Sequence, residues 1–319
     1  QALALIAPAI PFSALSALYR GYYQGFSLMA PTALSEVTEQ IAEIITVITG
    51  LTCFVTVLPL APYSFPLAGL TVGEIVCWAT LLYFRRPPGR RDQAAPTAVE
   101  QFPLPRQEIM RYSGPILLNQ IVIAISGAAE GVLIPRLLIQ SGRTIAQSTQ
   151  DLGYLNGMAA PLAYFPLILL FPLGAVLSPQ VSSGFKANVL PQLRLKIRRF
   201  YLVTMVFAMV CFSLILGYAS FLTQSLYHQL PPAALLKILV VGMPFAAFTV
   251  INFSILAAIG ASEKILMISL WATGLKAALL FSAAYYGING AAWAIAVAQI
   301  FTACSGVWEL RQFFTRLDA

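Results

Sequence analysis

Runs of about twenty apolar residues recur along this chain, broken only by short clusters of Pro, Gly and charge. A helix rises 1.5 Å per residue, so about 20 such residues cross the hydrocarbon of a bilayer. Nine stretches meet that measure: roughly 2–19, 32–58, 64–84, 109–137, 153–178, 200–222, 233–257, 264–285 and 288–309. Only 10% of the 319 residues are charged, against about a quarter in a soluble domain. With a mean hydropathy of +0.79, the chain reads as an all-α polytopic membrane protein.

The joints between spans alternate in charge. Arg20, then Arg85, Arg86, Arg90, Arg91 and Arg106, then Lys186, Arg194, Lys196, Arg198 and Arg199, then Lys264, then Arg311 and Arg316 fall on every second joint. The joints between carry little beyond Arg143 and Asp151. The positive-inside rule makes the basic joints cytoplasmic, and one missed helix would scramble the alternation. Residues 85–107, rich in Arg, Pro and Gln, read as a cytoplasmic linker near anionic lipid. Without aromatic interleaving they are not read as a nucleic-acid arm, and no nucleic-acid partner is expected.

The four cysteines stand singly in apolar stretches, and His228 is the sole histidine. Neither a disulfide framework nor a metal or Ser/His site is expected. The chain opens at Gln1 inside an apolar run with no basic leader, so we expect it to begin partway through a membrane protein.

The stretch Tyr19-Arg20-Gly21-Tyr22-Tyr23-Gln24-Gly25 reads as a polar turn feeding a helix that bears Glu36, Glu39 and Glu43. The i, i+3, i+7 spacing puts these carboxylates on one face. For Glu36, near the interface, hydration and dipole compensation suffice. Glu39 and Glu43 lie deeper, where carboxylates face a partner or a watery cavity; cavity lining, with binding of a proton, a cation or a substrate group, is one reading and simple packing the other. Lys276 sits at comparable depth, and either faces Glu39 or Glu43 across the cavity or snorkels or bonds a carbonyl within its own lobe. Asn119, Ser126 and Glu130, at i, i+7, i+11, form a polar stripe that lines the cavity or bonds neighbouring helices. Arg20 offers a fork for an anionic head group, though topology alone also explains an arginine there. Glu74 reads as a packed residue.

Pro11-Phe12-Ser13-Ala14 with its following helix resembles Pro244-Phe245-Ala246-Ala247 with the helix after it. The two copies lie six spans apart and run the same way, a parallel repeat.

YRGYYQG followed by MAPTALSEVTEQ, the Ile134-Pro135-Arg136-Leu137 and Gly153-Tyr154-Leu155-Asn156-Gly157 stretches, and Gly287-Ile288-Asn289-Gly290 resemble the sporulation-type polysaccharide flippases. These belong to the multidrug, oligosaccharidyl-lipid and polysaccharide exporter superfamily. The resemblance implies a two-lobe, six-plus-six pseudo-symmetric exporter fold around a cavity with alternating access. Residues 1–84 would be the last three helices of the first lobe, 85–107 the linker and 108–319 the second lobe. It implies a transporter, not an enzyme, that flips a lipid-linked peptidoglycan or polysaccharide precursor across the bacterial cytoplasmic membrane. Its partners would be a polyprenyl-pyrophosphate-linked saccharide, membrane lipid and a coupling cation or proton, with no cofactor. A cation-coupled multidrug exporter is the alternative within the superfamily. A membrane-embedded saccharide polymerase or ligase is disfavoured by the short extracytoplasmic joints, the lone His228 and the lack of paired carboxylates in a loop.

Overall fold

The computed structural model describes residues 5–25, 28–54, 64–84, 106–186, 190–228, 230 and 232–318. Every regular element among them is helical. Internal contacts divide the chain into two units, Gln1–Phe102 and Pro103–Ala319. Most of the expected linker lies outside the described residues, and its last two positions, Arg106 and Gln107, already begin a helix.

The first unit holds α1 (Ala9–Gly25), α2 (Met29–Thr49), continued by a π-helical turn at Gly50–Phe54, and α3 (Ser64–Phe84). The expected turn at Tyr19–Gly25 is instead the last part of α1. Nothing within it forbids a helix: it contains no proline, and one interior glycine costs only about 1 kcal/mol. Gly69, Gly73 and Cys77 recur every fourth residue on α3 and are buried. A Cβ on Gly73 would meet the Glu39 carbonyl oxygen at 3.2 Å, and one on Gly69 the Val47 Cγ2 at 2.9 Å. Small residues at this spacing bring two helices into backbone contact, the packing that replaces hydrophobic attraction inside lipid. Tyr23 seals the other side by donating to the Leu81 carbonyl at 3.1 Å.

The second unit begins with α4 (Arg106–Gln140) and α5 (Ile145–Leu152), the latter capped by reciprocal Thr144 and Gln147 bonds. A π-helical segment (Gly153–Ala159), α6 (Ala160–Tyr164) and a 3₁₀ turn (Phe165–Leu169) follow, then α7 (Phe171–Lys186). Next come α8 (Leu190–Tyr227), α9 (Pro232–Ala258), α10 (Ser262–Leu280), the short α11 (Ala283–Tyr286) and α12 (Ile288–Asp318). The span expected over 153–178 is thus an interrupted helix. Pro161 and Pro166 each start a new segment there, because proline lacks the amide proton that would continue the ladder. Gly142 and Gly260 close α4 and α9 with positive φ of 94° and 78°. At each, the next amide reaches five residues back, Arg143 to the Leu138 carbonyl and Ala261 to the Leu256 carbonyl.

Helix α9 is apolar on every side, as a helix buried all round must be. In its most apolar stretch 56% of residues are buried, against 11% for α8, whose free face carries Leu202, Val206 and Met209. The centre of this unit is therefore α9, with α8 outside. Tyr201 of α8 donates to the Asn252 side chain of α9, which passes a bond of 3.1 Å to the Ala303 carbonyl of α12.

Six described helices are long and apolar enough to cross a membrane: Ser64–Phe84, Ser113–Gln140, Ile145–Leu169, Pro191–Tyr227, Pro232–Ala258 and Ile288–Thr315. The other three expected spans fall on α1, α2 and α10. Helix α1 has only 17 residues, while α2 carries Glu36, Glu39 and Glu43 and α10 carries Glu263, Lys264 and Lys276. One packing order recurs in both units. In α1–α2–α3, as in α9–α10–α12, the third helix packs against both predecessors, which touch each other least.

Candidate functional site

In the first unit Arg20, at the last turns of α1, reaches across to α2 and α3. Its Nη2 donates to Glu39 Oε2 at 2.5 Å and to Cys77 Sγ at 3.0 Å. Cys77 is fully buried because it continues the small-residue seam, and the seam brings α2 close enough for Glu39 to share the guanidinium. Glu74, one turn before Cys77, joins them: ligand atoms of Glu39, Glu74 and Cys77 all lie within 4.8 Å of one another. That spacing would suit a metal ion, but the guanidinium already engages two of the three groups, so the local positive charge is the protein's own. The pairing is incomplete. Glu74 Oε2 is buried without a donor and Arg20 Nε without an acceptor among the described residues.

The acidic trio therefore divides. Glu39 holds Arg20, Glu36 is exposed, and half-buried Glu43 lies along the seam, its Cγ at 3.4 Å from where a Gly69 Cβ would sit. The sequence reads Glu74 as a packed, hydrogen-bonded residue and Cys77 as a small buried hydrophobe, and Cys77 is indeed buried; the Gly-x-x-x-Gly-x-x-x-Cys spacing is the further signal that marks α3 as the face α2 meets.

In the second unit Lys276 of α10 pairs with Glu130 of α4, and Ser126 donates to the same Glu130 oxygen at 2.9 Å. The two charged side chains are 22% and 13% exposed, so water screens the pair only partly. Ser126, Glu130, Thr273 and Lys276 line an open pocket of about 200 Å³ whose other walls are aliphatic. Lys276 thus meets a carboxylate of its own unit, where the sequence suggested Glu39 or Glu43, snorkelling or a backbone carbonyl.

Asn119, two turns before Ser126, faces a different pocket of about 320 Å³ between α4, α7, α9 and α10. It is 7% exposed, and its Oδ1 has no donor among the described residues. The polar stripe of α4 is thus turned toward protein, as its spacing implies, but serves two pockets. Ser178 and Ser254 line the second; Ser178 belongs to the Ser178-Pro179-Gln180-Val181-Ser182 stretch that shares the family resemblance but is not read as a site residue from sequence, and Ser254, a lone serine in an apolar run, carries no pattern. His228 is exposed, with φ of 53°, in the bend that ends α8.

Residues 1–185 match the family model described as polysaccharide biosynthesis protein. The chain is 24% identical over 316 residues to stage V sporulation protein B of Bacillus subtilis (strain 168), covering 93% of this chain and 58% of that protein. It is 26% identical over 274 residues to lipid II flippase MurJ of the same organism, covering 80% of this chain and 49% of that protein. The chain therefore spans about half the length of the curated relatives it matches. Among solved structures it resembles a multidrug resistance MATE family transporter of the MOP superfamily in its outward-facing conformation, with TM-score 0.73, 14% identity and coverage of 95% of this chain and 67% of that one. A MATE structure in the bent conformation matches at TM-score 0.75 and 14% identity over 98% of this chain and 69% of that one. That likeness shows a shared fold.

Proposed function

The chain belongs to the polysaccharide biosynthesis protein family, and from that premise we propose that the whole protein flips a lipid-linked saccharide across the bacterial cytoplasmic membrane by alternating access. Residues 1–84 contribute to a first lobe, 85–107 to a cytoplasmic linker and 108–319 to a second lobe. The basic joints face the cytoplasm. The relatives named for sporulation and for flipping lipid II are what favours a saccharide precursor over a drug as cargo.

One observation carries the reading. Each unit holds a cation on one helix against a carboxylate on another, Arg20 with Glu39 and Lys276 with Glu130. Charges so placed are expensive in an apolar setting and are retained where they do work. A pyrophosphate presents the geometry that a guanidinium fork matches and competes with Glu39 for it. The substrate thereby exchanges one anionic partner of Arg20 for another, while its polyprenyl tail stays in lipid. Glu43, half-buried on the seam, and Glu39, once released, are the groups that take up a coupling proton or cation. Moving one elementary charge through the membrane potential supplies about 2.3 kcal/mol per 100 mV. None of these steps makes or breaks a covalent bond, so the protein acts as a transporter and not as an enzyme.

The deciding experiment measures lipid-linked saccharide in the outer leaflet of cells with and without the gene. Loss of outer-leaflet precursor with normal synthesis inside is the expected result. Unchanged precursor with increased sensitivity to cationic drugs would replace this reading with a multidrug exporter.

A further inference from the structure

The second pocket of the Pro103–Ala319 unit has a lining unlike that around Lys276. Asn119 is more than nine-tenths buried there, with an amide oxygen that no described residue serves. Buried amide oxygens are almost always bonded, and leaving one bare is costly. Ser178 of α7 and Ser254 of α9 bring two hydroxyls to the same space. Ser254 donates to the Val250 carbonyl at 2.8 Å, which leaves its oxygen free to accept. Gly174 keeps that hydroxyl clear, since a Cβ there would overlap Ser254 Oγ. Phe253 and Ile116 supply an aromatic and an aliphatic wall.

Among the described residues, no Asp, Glu, Lys or Arg lines this pocket. A bound cation would call for carboxylates and a bound phosphate for a cation; neither is on offer. One amide, two hydroxyls and a ring against an aliphatic wall complement an uncharged body with hydroxyls at its edge and C–H groups on its faces. That is the chemistry of a pyranose. Phe253 and Ile265 flank the α9–α10 joint at Gly260, on the side of the basic joints where loading would occur. Along α4, Asn119 lies about 10 Å from Ser126, a distance that one or two sugar rings bridge.

We propose that this pocket is a subsite for an uncharged sugar ring of the transported lipid, with Asn119 accepting from a ring hydroxyl, Ser178 and Ser254 completing the polar edge, and Phe253 covering a ring face. The assignment rests on the flippase reading and adds to it a division of labour: charge is read at Arg20 and Lys276, and sugar at Asn119.

The test uses the protein at its full natural length in proteoliposomes with two probe lipids, polyprenyl pyrophosphate bearing N-acetylglucosamine and the same lipid without sugar. Asn119→Leu and Ser178→Ala are expected to slow the sugar-bearing lipid about three- to tenfold, the loss of one neutral hydrogen bond, and to leave the bare lipid near its wild-type rate. Melting temperatures check folding, and Ser178→Ala, which removes a single oxygen, carries the test should Asn119→Leu fail to fold. Equal slowing of both lipids, or of neither, overturns the subsite and leaves the flippase reading standing. A wild-type protein that moves neither lipid overturns both.

Discussion

Lys276 has its charge on a helix otherwise apolar along most of its length, and Glu130 answers it from α4. Removing one member of such a pair leaves the other charged and largely dehydrated, whereas removing both leaves a packed apolar contact. Lys276→Met is therefore expected to destabilise the protein by about 2 kcal/mol, less than the 3–5 of a fully buried pair because both groups keep some exposure. Adding Glu130→Leu restores most of that loss, and thermal melting in detergent of the two variants checks the sign. Arg20 differs, because it serves two acceptors at once, Glu39 and Cys77. Both bonds leave Nη2, and a lysine has no planar fork to offer a pyrophosphate. Arg20→Lys is expected to lower transport about tenfold, equivalent to roughly 1.4 kcal/mol, while protein abundance changes little. A transport rate equal to wild type would remove Arg20 from the substrate path.

Among the elements, α2 and α3 depend on what is absent from Gly69 and Gly73. Gly73→Leu forces a side chain against the Glu39 carbonyl and is expected to cost about 1–3 kcal/mol, the usual penalty of overpacking. Gly127 of α4 provides the contrast: nothing lies within 4 Å of a Cβ there, so Gly127→Ala is expected to be neutral or to stabilise by up to about 1 kcal/mol through helix propensity. Melting curves of the two variants are expected to shift in opposite directions. The same elements show what sequence can carry. Apolar length placed helices near the expected spans, six of them long and apolar enough to cross a membrane, and the i, i+7, i+11 spacing of Asn119, Ser126 and Glu130 puts them on one face, where Asn119 and Ser126 are buried. The partner of Lys276 was not legible, because nothing local to α10 points to a residue on α4. The interrupted stretch 153–169 was only half legible: its prolines are visible, but whether a proline kinks, restarts or ends a helix depends on the neighbours that hold the freed carbonyls.

For the whole molecule, the alternation of basic and uncharged joints fixes an expected topology that labelling can test. In a protein with its four native cysteines replaced, a cysteine at Ser141 is expected to react with a membrane-impermeant maleimide from outside intact cells. A cysteine at Arg194 is expected to react only after the membrane is opened. The reverse pattern would invert the orientation and, with it, the leaflet from which the substrate is loaded. The shared packing order of α1–α2–α3 and α9–α10–α12 has a further use. Because the third helix of each trio holds the other two, substitutions on the inner faces of α3 and α12 bear on stability in both units, while α8 tolerates exchange of one aliphatic residue for another along its outer face.

The stretch from Gly153 to Leu169 passes from i→i+5 to i→i+4 to i→i+3 turns within a single crossing. A uniform helix behaves as a rod: push one end and the other end moves. A rod wound at three pitches behaves as a spring, because residues can pass from the wide turns to the tight ones and change its length without breaking a contact at either end. Packed along α9, a stretch so wound is expected to take up small changes of length between its Ile145 and Leu169 ends, and faster amide exchange over 153–169 than along α9 would report it.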